Sequence, residues 1–213
     1  MATLLRLGFA TAALRRIGVP SCSFVVKTSC MKSSRSLTDT LCTRCGLCCD
    51  GSLFADVELA GRAEAVGLEL LGLQIEEDDG DGGLLLQPCA ALQGKRCGIY
   101  AHRPGCCRTF ECRLLQDVRR GAVSVERAGE HIAEALRRTA RVRALATALG
   151  QRDNKLPLKE RCAEALMLSP AVAGADGGGA TAGRERERKR AKLEREMAAV
   201  EGLMEERFLG EDV

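Results

Sequence analysis

Beyond residue 112 the chain carries apolar positions at a helical period. Val125, Ala128, Ile132, Leu136, Thr139, Val142, Leu145 and Leu149 recur at three- and four-residue steps, and Gly150 follows as a stop. The pattern predicts a helix over residues 125–149. A second, shorter helix fits residues 157–168: Pro157 suits a first turn, Pro170 lies beyond the end, and Leu158, Cys162 and Leu166 share one face. Cys162 reads here as a small buried hydrophobe rather than a ligand. Residues 169–183 (SPAVAGADGGGATAG) read as a flexible linker. A charged amphipathic helix is expected in the last segment, 184–213, ending near Leu209. Its first half, RERERKRAKLERE, is laced with charge and includes the i,i+4 pair Glu185 and Lys189. Leu193, Met197, Val200 and Met204 then form an apolar stripe, which either docks on its own domain or recruits a protein partner.

Upstream the pattern is shorter-ranged. Asp56 reads as the cap of a helix over residues 57–71, with Glu58 favouring the helix dipole. The run Glu76 to Gly83 (EEDDGDGG) reads as a solvated turn; a calcium loop would need a bidentate Glu at its twelfth position, and none follows Asp78 or Asp79 there. Leu84, Leu85 and Leu86 predict a short strand leading into Gln87-Pro88-Cys89. Aromatic residues make up only 3% of the chain and tryptophan is absent, so the core must be built from Leu, Ala and Val. The expected fold is mainly α, with an irregular, metal-organised cysteine-rich core, at most a few short strands and a helical C-terminal extension. No apolar run approaches the roughly 20 residues of a transmembrane helix.

Charge changes the picture at the N-terminus. Residues 1–38 hold Arg6, Arg15, Arg16, Lys27, Lys32 and Arg35, many hydroxyls and no acid. That composition reads as an organellar transit peptide, mitochondrial or chloroplast, and places Cys22 and Cys30 outside any site. Without this segment, 26 basic residues face 29 acidic ones. A mildly acidic remainder with few stacking aromatics argues against nucleic acid as a partner.

The candidate chemistry is sulfur. Cys42, Cys45, Cys48 and Cys49 read C-x2-C-x2-C-C, and Cys89, Cys97, Cys107 and Cys112 follow at longer spacings. Thiolates are soft ligands; zinc takes four tetrahedrally, and an iron–sulfur cluster takes four. Eight suffice for two four-coordinate ions, or for one cluster and one zinc. The adjacent Cys48 and Cys49 are expected to serve different ions or to bridge two. Disulfides are the competing use, but they need an oxidising compartment, and the N-terminus argues against secretion. Within residues 42–49 and 89–113, Arg44, Lys95, Arg96, Arg103, Arg108 and Arg113 lie among the cysteines, against Glu111 alone, and would offset thiolate charge.

CTRCGLCCDG (Cys42 to Gly51), QPCAAL (Gln87 to Leu92) and CGIYAHRPGCCRTFEC (Cys97 to Cys112) together resemble the YkgJ-type, CxxCxxCC family, a zinc- or iron-chelating domain. The resemblance covers residues 42–115 and gives domain bounds of 39–116, with a helical part over 117–168 packing on it. It implies metal ligation by the eight cysteines named above. Tyr100, Arg103, Pro104, Arg108 and Phe110 match accompanying positions. Arg103 and Arg108 would then donate hydrogen bonds to thiolates or sulfides, Pro104 would set the turn before Cys107, and the two rings would wall the site from water. Cys106 is an extra thiol that could replace Cys107. His102 reads as exposed or supporting, and His131 has no second ligand nearby.

Three functions compete. The first is a metal-binding protein holding zinc or iron, with the iron as an iron–sulfur cluster in one version. The second is an iron–sulfur redox protein or cluster-bearing enzyme; a flagellin lysine N-methylase shares this cysteine domain, yet no catalytic motif is recognisable outside the cysteines. The third is an interaction module acting through the C-terminal helix.

Overall fold

Ser36 caps the first helix, α1 (Leu37–Cys45): its hydroxyl oxygen accepts the Asp39 amide at 3.0 Å. Asp39 sits in the first turn, where a negative charge meets the positive end of the helix. Gly46, at φ 76, ends it, donating its amide to the Cys42 carbonyl at 3.3 Å. The computed structural model describes residues 36–78, 81–168 and 180–210. Nearly all of the expected transit peptide, and residues 169–179 of the expected linker, lie outside the described residues.

A small antiparallel sheet follows. β3 (Leu84–Leu86) is its centre, flanked by β1 (Asp56–Glu58) and β2 (Ile75–Glu76). Leu85 stands opposite both Val57 and Ile75 and is 2% exposed. Helix α2 (Arg62–Leu70) buries Ala65 and Leu68 with Leu59, Leu73 and Leu85, forming a small apolar cluster. The strand over residues 84–86 is as expected, but the helix over 57–71 is not. Asp56 is in a strand because β3 takes residues 56–58 as a pairing partner, and the helix begins only at Arg62. Glu64 then supplies the entry contact, accepting the Ala60 amide at 2.9 Å. A hairpin of β4 (Leu92–Gln93) and β5 (Arg96–Cys97), a 3-10 turn (Tyr100–His102), α3 (Gly105–Thr109) and α4 (Arg113–Arg119) complete this half.

The helical half is α5 (Val125–Ala148), α6 (Leu158–Met167) and α7 (Ala180–Met204), extended by a π-helical turn at Glu205–Leu209. Ser124 caps α5 through the Arg127 amide at 3.2 Å. Both helices expected here, over 125–149 and 157–168, are present. Helix α7 starts earlier than expected, so Ala180 to Gly183 are helical.

The larger core joins the halves. Leu41 and Leu47 lie in one buried cluster with Leu114 and Leu115 of α4, Val142 and Ala146 of α5, Leu158 of α6, and Leu193 and Val200 of α7. The apolar stripe of α7 is therefore consumed inside the chain: Leu193, Val200 and Met204 are at most 4% exposed, and Phe208 joins them. Met197, the remaining residue of the stripe, is half-buried against the same cluster. Two arginines of the charge-laced segment also turn inward. Arg186 donates to the Leu149 and Leu168 carbonyls at 3.2 and 2.9 Å, and Arg190 donates to the Leu166 carbonyl, so α7 caps the C-terminal ends of α5 and α6. The mainly helical fold with a few short strands is as expected, and its buried residues are largely apolar, with Thr139 and Arg161 among the buried polar ones.

Candidate metal centre

The first cysteines are placed by helix geometry. Cys42 and Cys45 stand one turn apart on α1. After Gly46 the chain folds back, with the amides of Cys49 and Asp50 both donating to the Gly46 carbonyl at 3.0 and 2.9 Å. Leu47, between Cys45 and Cys48, has no exposed surface and anchors this turn in the core. Arg143 of α5 holds its far end, donating to the Asp50 carbonyl at 3.1 Å and the Ser52 hydroxyl at 2.8 Å, and pairing with the Asp50 carboxylate at 3.1 Å. Gly51 (φ 74) completes the anchor by accepting the Leu158 amide at 2.8 Å.

The later cysteines are brought to this turn. The Cys89 amide donates to the Cys49 carbonyl at 2.8 Å. The Cys89 carbonyl accepts the Leu92 amide at 2.9 Å, and Leu92 pairs with Cys97 across the hairpin. Glu64 of α2 accepts the Gly105 amide at 2.7 Å, fixing the start of the short helix that carries Cys106 and Cys107. Cys112 is the N-cap of α4, which packs on α1.

Burial and mutual repulsion oppose ionisation of these thiols. Burial pushes Cys42 and Cys49 up to about 11 and Cys45 and Cys107 up to about 12. Cys48, Cys89 and Cys112 are raised for the same first reason. Neighbouring thiols add to the rise: Cys112 at Cys42, Cys45 and Cys48; Cys89 at Cys49 and Cys107; Cys97 at Cys49 and Cys89. Backbone amides work the other way at three of them. Leu47 favours the Cys45 thiolate, Ala91 and Leu92 that of Cys89, and Leu115 and Leu114 that of Cys112. Each donor lies two or three residues after its sulfur, as in a tight ligand loop.

Arg103 lies close enough to favour the Cys42 thiolate. Its guanidinium sits 3.8 Å from the centre of the Tyr100 ring and donates to the Tyr100 carbonyl at 3.2 Å. The Tyr100 hydroxyl donates to Asp39 at 2.7 Å, a bond that lowers the Asp39 pKa and ties the 3-10 turn to α1. Arg108 is exposed, and among the described residues it makes no side-chain hydrogen bond or ion pair. Arg44, Lys95 and Arg96 are also exposed, so most of the expected cationic shell faces solvent. Tyr100, 39% exposed, is no wall; Phe110 packs edge-on against Phe54 with centroids 5.1 Å apart. His102 is exposed, and His131 is buried on α5. Cys162 is 3% exposed within the helical core.

The described cysteines are all free thiols. They are gathered around one turn without being closed on one point. Among the described residues no three His, Cys, Asp or Glu side chains stand together closely enough to hold an ion. The donor set nevertheless suits a soft cation, being rich in thiols and partly shielded from water. Four supporting residues carry no cysteine signal in the sequence. Asp39 and Ser36 share a visible capping spacing, whereas Glu64 and Arg143 act across the fold and leave no local signal.

The chain matches no curated protein and no solved structure. Residues 41–128, from Leu41 in α1 to Ala128 in α5, match the model of the CxxCxxCC family, described as a "Putative zinc- or iron-chelating domain".

Proposed function

We propose that this chain is a metal-binding protein that holds zinc or iron through the thiolates of Cys42, Cys45, Cys48, Cys49, Cys89, Cys97, Cys107 and Cys112. One observation carries the reading: backbone hydrogen bonds close the turn at Gly46–Asp50 that carries Cys48 and Cys49 and fasten Cys89 to Cys49, and the described cysteines are all free thiols. The raised pKa values of Cys42, Cys45, Cys48, Cys49, Cys89, Cys107 and Cys112 supply the reason a cation belongs there. Buried thiols resist ionising alone, and a bound dication reverses that preference. The amides aimed at Cys45, Cys89 and Cys112 support the same end, because they stabilise sulfur only when it is negative. The metal's chemistry is a cross-link between segments, and a four-thiolate zinc site contributes on the order of 10 kcal/mol to folding. Iron held as a cluster would use the same donors.

The test is direct. The full chain is produced without oxygen, and zinc, iron and acid-labile sulfide are measured per chain. Bound metal is expected, and sulfide in stoichiometric amount identifies a cluster. Replacing Cys45 and Cys107 together by Ser is expected to cut metal content sharply. Undiminished metal in that double variant would remove the thiols from the site.

A further inference from the structure

We infer that the eight cysteines make two separate four-thiolate centres, divided between Cys48 and Cys49, rather than one centre shared by all. The inference rests on the metal-binding reading above and goes beyond it by assigning each sulfur to an ion. The first centre takes Cys42, Cys45, Cys48 and Cys112. The second takes Cys49, Cys89, Cys97 and Cys107.

The backbone makes the division. Cys42 and Cys45 are a turn apart on α1, α4 packs on α1, and Cys112 is the N-cap of α4. Cys45 and Cys112 both lie against the larger apolar cluster. Cys89 lies against the smaller one. Its amide is bonded to the Cys49 carbonyl at 2.8 Å, and Cys97 is carried on the hairpin that begins just beyond Cys89. Cys107 reaches this side on α3, which packs on β1.

Four thiolates fill one tetrahedral zinc site or hold one cluster, so each set is complete without borrowing from the other. Cys106 is then the thiol left over, beside Cys107 and outside both sets. No three sulfurs are in ligating range among the described residues, so ion binding would have to draw each set together.

Cobalt(II) is the probe, because four thiolates around it give intense visible bands and sulfur-to-metal charge transfer. Anaerobic titration of the full metal-free chain is expected to end at two ions per chain. Native mass spectrometry of the same sample counts the ions independently. The pair Cys42→Ser with Cys112→Ser is expected to bind one ion, and so is the pair Cys89→Ser with Cys107→Ser, each with a four-thiolate spectrum. Helical circular dichroism checks that each variant is folded. An end point of one ion in the unaltered chain overturns the division while leaving metal binding intact, and it does so even if every variant misfolds. Loss of both ions in either folded pair also overturns it. An unaltered chain that takes up no cobalt removes the metal-binding reading and the division together.

Discussion

Gly51 has almost no room to be anything else. Its φ of 74 belongs to the left-handed region, and a Cβ there would stand 3.0 Å from the Pro157 Cα and 3.3 Å from the Pro88 Cδ. Gly51→Ala is expected to cost about 1–3 kcal/mol, measured as a lower urea midpoint. Arg143 works on the same turn from the helical side. Arg143→Met keeps the stem but loses the contacts to Asp50 and Ser52. Metal affinity is expected to fall about tenfold, by analogy with other residues that support ligands, while helical circular dichroism stays unchanged. The thiols also set a pH dependence. Their folded-state pKa values reach about 12 at Cys45, above the ordinary value of 9.0, so the folded metal-free chain holds more protons than the unfolded one in between. The stability they contribute is fully present below about pH 9 and lost as pH rises toward about 12. Urea unfolding of the metal-free chain across that window is expected to show a falling midpoint.

At the scale of elements, α5 and α6 were legible because a helix that buries one face writes its period into the sequence. Val142 and Ala146, both without exposed surface, lie on that face. Helix α1 was hidden, since its cysteine spacing draws the eye before the Ser36-to-Asp39 cap does. Asp56 misled for the opposite reason: a good capping residue sits where β3 needs a pairing partner, and pairing is a long-range fact. The cysteines themselves were visible, but their grouping depends on contacts such as Cys89 to Cys49 that no spacing encodes. The stripe on α7 was visible too, and only the fold shows what covers it. Phe208, 1% exposed, extends that stripe. Phe208→Ala is expected to cost about 3–5 kcal/mol in thermal or urea unfolding. Removing residues 184–213 is expected to give aggregation, because it uncovers the core face of α5.

Among the described residues two apolar clusters of unequal size stand out, the larger with Cys45 and Cys112 against it and the smaller with Cys89. The larger one packs α5, α6 and α7 on one another through apolar side chains. Chelation of bound metal is therefore expected to leave most of the helical circular dichroism in place. Hydrogen exchange should instead quicken over residues 84–112, where the strands are short and the buried cluster is small.

Leu47 ties these scales together. It is a plug seated in the bundle with a donor atom on either side of it in sequence, at Cys45 and Cys48. An ion gripped by both neighbours cannot leave by a simple unzipping of the loop, because peeling the loop draws the plug. Exchange with a labelled isotope should then run at the pace of transient bundle opening. A leucine, rather than any ligand, would set how long the cargo stays.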